Sequence, residues 1–327
     1  MYTDVFSKEV AEAIVEKTGI EERRFAEDGV CASDLCFEAA KKLIEENQIN
    51  RDEIKFLIFV SQTPDYRMPA TGILLQERLG LSKDCMALDI NLGCSGFIYG
   101  LSVIYGLMQS ATSGKGLLLV GETRSRVYSD RDRKTAFLFG DAGIACLIDK
   151  GAVFGSSHFD LHSDGSQAPL IKMDAGGYRN PSTIQTREMK VRDADGNARS
   201  DEHGYMDGAE VFNFVLTHIP KGIKGTLKRI NMDINMMDCY VFHQANLFMN
   251  RHLVKKLKLD EDRVLNNVNR FGNTSSVSIP LAIVTEFSEI NHQENLFSLL
   301  CGFGVGMSWA NGVLKLGQIK IGELIEC

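Results

Sequence analysis

Two stretches of this chain, about 180 residues apart, carry the same succession of apolar runs, helical patterns and small-residue turns. In the first, "FLIFVSQT" leads to "LLQERLGLSKD" ending at Asp84, then to "NLGCSGFIYGL" around Cys94 and to "LLLVG". In the second, "CYVFHQAN" leads to "LVKKLKLDED" ending at Asp262, then to "NRFGNTSSVSIPL" around Asn273 and to "SLLCG". Four segments repeated in one order at a nearly constant offset read as a duplicated unit. The expected molecule is therefore two similar halves packed about a pseudo-twofold axis. We divide them as residues 1–160, with Cys94, and 161–327, with His243 and Asn273. A length of 327 residues is ample for two packed units.

Each unit reads as α/β. "IKFLIFV" (54–60) is an unbroken apolar run, the pattern of a strand buried on both faces. "SDLCFEAAKKLIEENQI" has Leu35, Ala39, Ala40, Leu43 and Ile44 at helical spacing, with Ser33 the expected N-cap. Pro69 opens a further helix in "PATGILLQERLGL"; "MALDI" is a strand, a long apolar helix follows Cys94 to about Gln109, and "GLLLVGE" is again a strand. Strands alternating with helices predict largely parallel sheets.

A formal charge of -7 argues against a general nucleic-acid binder. Asp4, Lys8, Glu9, Glu12, Glu16 and Lys17 interrupt any secretory signal, and no apolar run reaches membrane-spanning length, so a soluble cytoplasmic protein is expected, with no membrane partner. The eight cysteines show no zinc-site spacing and most read as small buried residues. His158 and His162 have the spacing of a helical metal pair, but "HFDLHSDG" reads as strand, and no metal is expected.

Functional side chains of α/β sheets lie on loops beyond the carboxyl ends of strands. Cys94 follows "MALDI", His243 ends "CYVF", and Asn273 occupies the counterpart of the Cys94 turn, so the duplication brings the three together. At the start of a helix Cys94 is expected to favour its thiolate, a nucleophile for an acyl group. Small neighbours Gly93, Ser95 and Gly96 leave room for a substrate. His243 and Asn273 offer N–H donors to a developing enolate.

"INLGCSGF", "FHQAN", "FGNTSS" and "GFGVGMSWA" resemble the active-site segments of the thiolase superfamily, most closely its ketoacyl-acyl carrier protein synthase III group; the resemblance runs from about Lys17 to Val313. It implies a duplicated five-layer α-β-α-β-α architecture and a decarboxylative condensation. An acyl group passes from coenzyme A to Cys94, and malonyl-acyl carrier protein loses carbon dioxide. Its enolate, held by His243 and Asn273, attacks the acyl-cysteine to give a 3-oxoacyl-acyl carrier protein. The same resemblance implies an oxyanion hole from the backbone N–H groups of Cys94 and Val305, and a coenzyme A entrance at Lys17 and Arg133. Ala13 stands where relatives often stack a tryptophan on adenine. In the homodimer implied, Met68 reaches into the partner's acyl tunnel. Acyl carrier protein would dock on Arg251, Lys255, Lys256 and Lys258, although Phe248 and Asn213 replace basic residues common there. Acyl-CoA and the malonyl carrier are substrates, and no cofactor is implied.

Two departures from the resemblance carry expectations. Relatives usually begin with about twenty more residues that include the first strand of the sheet; either that strand is lacking or the tail "KLGQIKIGELIEC" covers the edge. The insertion "QTREMKVRDADGNARSDEHGYMDG" is polar and reads as a surface loop serving as a lid. An acyltransferase that passes the Cys94 acyl group to an alcohol or amine without decarboxylation is the second reading, and a non-catalytic scaffold the third.

Overall fold

The computed structural model describes residues 5–110, 114–150, 157–287, 296–316 and 319–326. β1 (Ile54–Val60) pairs in parallel with β2 (Met86–Ile90) on one side and β3 (Lys115–Glu122) on the other, and β3 pairs antiparallel with β4 (Ala142–Ile148). After β5 (His158–Ser163) come four short strands, β6 (Ile171–Met173), β7 (Lys190–Val191), β8 (Ala198–Arg199) and β9 (Gly204–Met206). The second sheet repeats the first. β10 (Cys239–Phe242) lies parallel to β11 (Val264–Leu265) and β12 (Phe297–Gly304), and β12 is antiparallel to β13 (Ser308–Lys315). The strand orders are β2-β1-β3-β4 and β11-β10-β12-β13-β5. The duplication read from the sequence is thus a duplication of topology. β5, which straddles residue 160, pairs with β13 and belongs to the second sheet.

Leu57, Ile58, Phe59 and Val60 are fully buried because β1 is covered on both faces. α1 (Lys8–Thr18) leads in, and α2 (Ala32–Glu46) and α3 (Thr71–Arg78) cover the outer face of the first sheet. α4 (Gly96–Ser110) runs between the sheets, touching β1, β3, β12 and β13. The short α5 (Ile184–Arg187) precedes β7; α6 (Gly208–Arg229) and α7 (Leu247–Leu257) cover the outer face of the second sheet. After the single-turn α8 (Val268–Phe271), α9 (Ser278–Glu286) joins α4 in the central layer. Helices, sheet, helices, sheet, helices make the five layers of the thiolase fold.

Three local expectations meet the structure. Cys31, not Ser33, is the N-cap of α2: the Cys31 N–H donates to Asp34 Oδ2 at 2.8 Å, while buried Ser33 donates to Asp65. The insertion is tied both to itself and to its neighbours. Lys134 pairs with Asp193, and Lys190 and Arg192 pair with Asp201, while Ala198 N–H donates to Arg131 O and Gly204 N–H to Val127 O. Asp193 and Asp195 thus tie it to residues 133–134, while Lys190, Arg192 and Asp201 hold it to itself. Among the described residues the tail forms no ladder with β4. Ile319 and Ile321 pack on the core between the sheets, and Glu326 pairs with Arg24, the residue whose carbonyl takes the Asp141 N–H just before β4. His158 and His162 lie on β5 as expected; His162 stacks on Trp309 beside Asp160.

Candidate active site

β2 ends at Ile90, and the following turn delivers Cys94 to the N-terminus of α4 at the carboxyl end of the first sheet. β10 ends at Phe242 and presents His243 at the matching place on the second. Asn273 arrives from α8 through Gly272, whose φ of +65° is strained for any residue with a Cβ, and where an added methyl would meet Leu138 O at 2.8 Å. The Asn273 N–H donates to Leu138 O at 2.8 Å, and the Gly140 N–H donates to Asn273 O at 3.1 Å. These bonds stitch a segment of the second half to a loop of the first.

One six-residue run then connects all three side chains. Asn273 Oδ1 accepts the Ser275 N–H at 2.9 Å, and Ser275 Oγ lies 3.8 Å from Cys94 Sγ. Ser278 Oγ lies 2.7 Å from His243 Nδ1. All of these groups are buried. β12 closes on the sulfur at Gly304, where a methyl group would sit 2.8 Å from Cys94 Cβ and Sγ. Val305 follows in the turn; its N–H finds no backbone acceptor among the described residues, and that of Cys94 faces its own sulfur. Both backbone donors therefore stand beside the thiol.

The electrostatics differ from the expectation at Cys94. Burial pushes its thiol up from the ordinary range; the Arg124 guanidinium and the Ser275 hydroxyl oppose the rise without overcoming it. The site waits as a thiol, because the cost of desolvating a thiolate exceeds what its neighbours return. Burial, with Arg124 adding to it, lowers His243 to about 3, so the ring is neutral.

Sequence reading missed the polar shell beneath the cysteine. Glu122, fully buried at the end of β3, accepts hydrogen bonds from the Gln62 N–H, Thr63 Oγ1 and Ser276 Oγ. Burial raises its carboxyl above the usual range. Arg124 follows two residues on. "GETR" at the end of an otherwise apolar strand was the available signal, and "TSS" was the signal for the serines.

The outlying residues are distributed unevenly. Ala13, Lys17, Phe248 and Arg251 line one surface pocket of about 420 Å³ between α1 and α7. Lys255 and Lys256 are exposed farther along α7, outside that pocket. Arg133, half-buried, pairs with Asp195 of the insertion at 2.6 Å. Met68 is 76% exposed and takes no part in this chain's own pocket.

A duplicated five-layer fold that buries a cysteine, a histidine and an asparagine at the junction of its halves defines a condensing-enzyme-like member of the thiolase superfamily. Residues 88–165 match the family model described as 3-oxoacyl-[acyl-carrier-protein] synthase III, and residues 227–316 match the model of its C-terminal part. The beta-ketoacyl-[acyl-carrier-protein] synthase III of Desulfitobacterium hafniense is 32% identical over 92% of this chain and 88% of its own length. That of Chlamydia caviae is 34% identical over 93% and 88%. A crystal structure of a 3-oxoacyl-(acyl-carrier protein) synthase from Burkholderia xenovorans superimposes with a TM-score of 0.90 at 40% identity, covering all of this chain and 91% of that one. The chain belongs to the 3-oxoacyl-acyl carrier protein synthase III family.

Proposed function

We propose that this chain joins an acyl primer to malonyl-acyl carrier protein with loss of carbon dioxide. Cys94 Sγ attacks the primer thioester, the carbonyl oxygen is held by the backbone N–H groups of Cys94 and Val305, and coenzyme A leaves as its thiol. Malonyl-acyl carrier protein then loses carbon dioxide while His243 and the Asn273 amide N–H group hold the enolate oxygen. The carbanion attacks the acyl-cysteine and expels Cys94 as its thiolate, which takes a proton from solvent as the 3-oxoacyl-acyl carrier protein leaves. The observation that carries this reading is the run Asn273–Ser278, whose side chains touch both the cysteine and the histidine across the boundary of the halves. The relatives named above are synthases, which favours condensation over acyl transfer to an alcohol or amine.

The α1/α7 pocket suits the coenzyme A or carrier arm, with Lys17 and Arg251 meeting phosphate and Lys255 and Lys256 meeting an acidic carrier surface. Substrates that arrive as thioesters need no cofactor. Among the described residues no helix is long and apolar enough to cross a membrane, and we assign the enzyme to the cytoplasm. Exposed Tyr66, Met68, Ile73, Tyr178 and Ile184, with Arg67 over the Tyr178 ring, offer a surface for a second copy of the chain. Incubation with acyl-CoA and malonyl-acyl carrier protein tests the reading: an acyl adduct on Cys94 with released carbon dioxide supports it, whereas an adduct that never leads to carbon dioxide points to the acyltransferase.

A further inference from the structure

Arg124 is a buried cation close to the turn that bears Cys94, a place where a hydrocarbon acyl chain has no use for one. Its side chain is only 6% exposed. A guanidinium carries five N–H donors, and burying it is tolerable only if they are met. Here Nη1 donates to Gln62 Oε1 at 3.3 Å and Nη2 to Tyr128 OH at 3.2 Å, while Nε is buried with no acceptor among the described residues. Glu122 attracts the guanidinium through space but supplies no hydrogen bond to it: its oxygens are taken up by Gln62 N–H, Thr63 and Ser276 among the described residues.

The position of the guanidinium connects it to the nucleophile. Gln62 Oε1, which accepts from Arg124, is the atom that a methyl group on Gly93 would meet at 2.6 Å, and Gly93 directly precedes Cys94. On its other side the guanidinium lies 5.7 Å from the centre of the Phe139 ring, and the Phe139 backbone bridges to Asn273. Tyr128, which accepts from Nη2, stacks on Phe139 at 4.1 Å. The cation therefore lies between the turn that bears the cysteine and the segment that bears the asparagine.

We propose that Arg124 selects the primer: the acyl group carried on Cys94 ends in a carboxylate, which the unused Nε–H and a neighbouring Nη–H bind as a fork. A carboxylate matches that fork in two parallel hydrogen bonds. An alkyl chain would leave the buried Nε–H unsatisfied. The transfer itself balances as an ordinary thioester exchange. The bond from Sγ to the acyl carbon forms, the bond from that carbon to the coenzyme A sulfur breaks, the Cys94 proton leaves with coenzyme A, and the distal carboxylate is unchanged. The inference rests on the synthase reading above and names its substrate class.

The test is competition on the full chain between succinyl- or glutaryl-CoA and butyryl-CoA, without a malonyl carrier, read by intact mass as the adduct on Cys94. The carboxylated primers should win by about 10- to 100-fold, the worth of a hydrogen-bonded charge pair. Arg124→Leu should invert the preference, and Arg124→Lys, which keeps charge and loses the fork, should recover part of it. A wild-type protein that takes butyryl-CoA as fast as its carboxylated counterparts overturns this proposal and leaves the synthase reading standing. Acylation by neither class removes both.

Discussion

Ser278 Oγ stands 2.7 Å from His243 Nδ1 and also accepts the Gln244 N–H at 3.3 Å. The enolate role proposed for His243 requires the ring proton on Nε2, and Ser278 holds that tautomer when its one proton is directed at Nδ1. Ser278→Ala frees the ring to take the other tautomer. Carbon dioxide release from preformed acyl-enzyme should fall about 3- to 10-fold, the worth of one neutral hydrogen bond, while formation of the Cys94 adduct is retained.

Because His243 is lowered to about 3, its neutral form persists through the acid range in the folded protein. Decarboxylation should show no acid limb from this residue between pH 5 and pH 8, measured as carbon dioxide release from saturated enzyme. Stability carries the opposite signature. In the unfolded chain the imidazole titrates near 6.5, so below that pH the unfolded state binds a proton the folded state refuses. The stabilisation is whole above pH 6.5 and is lost as pH falls toward 3, by up to about 1.4 kcal/mol per pH unit. Urea midpoints at pH 4 and pH 7 should differ less in His243→Gln than in the wild type; an equal difference would show that the ring is not shielded.

Asn273 Oδ1 is taken by the Ser275 N–H, so only the amide N–H group remains to face a substrate. Asn273→Ala should leave acylation of Cys94 intact and reduce decarboxylation by about 100- to 1000-fold, the range for loss of one donor to a developing oxyanion. Equal loss in both steps would mean that the residue holds the loop together and does not serve the enolate.

The repeat made the architecture legible because topology is written in the order of apolar runs. β1 and β2 have the bounds their patterns predict, and Cys94, His243 and Asn273 meet because equivalent strand ends meet. The shell around them was hidden for a physical reason. Ser275, Ser278, Glu122 and Arg124 act through side-chain geometry across the halves, and no local period marks that. The charge state of Cys94 was misread for the same reason. The helix start is local and visible, whereas the burial that outweighs it comes from β12, some two hundred residues later.

That burial has a consequence in solution. With the thiol raised above its ordinary range, modification of Cys94 by iodoacetamide should keep accelerating as pH is taken through 9, with no plateau near neutrality. Ser275→Ala removes a group that favours the thiolate and should slow the reaction at pH 8. A rate already constant at pH 7 would contradict the thiol and restore the thiolate expected from the helix start.

Gly304 offers the sharpest separation of packing from chemistry. A methyl group there would lie 2.8 Å from both Cys94 Cβ and Sγ, closer than carbon and sulfur pack, so either β12 or the cysteine must move. A displacement on the order of 1 Å at a reacting atom costs about 100-fold in rate. Gly304→Ala should therefore depress Cys94 acylation by about that factor and lower the melting temperature, by about 1–3 kcal/mol of strain. Gly106, on α4 and with nothing within 4 Å of an added methyl, is the matched control. Gly106→Ala should raise stability by up to about 1 kcal/mol through helix propensity and acylate at the wild-type rate. If Gly304→Ala acylates as readily as the control, β12 does not define the position of the sulfur, and the close approach of the second sheet to the cysteine is not what shapes the pocket.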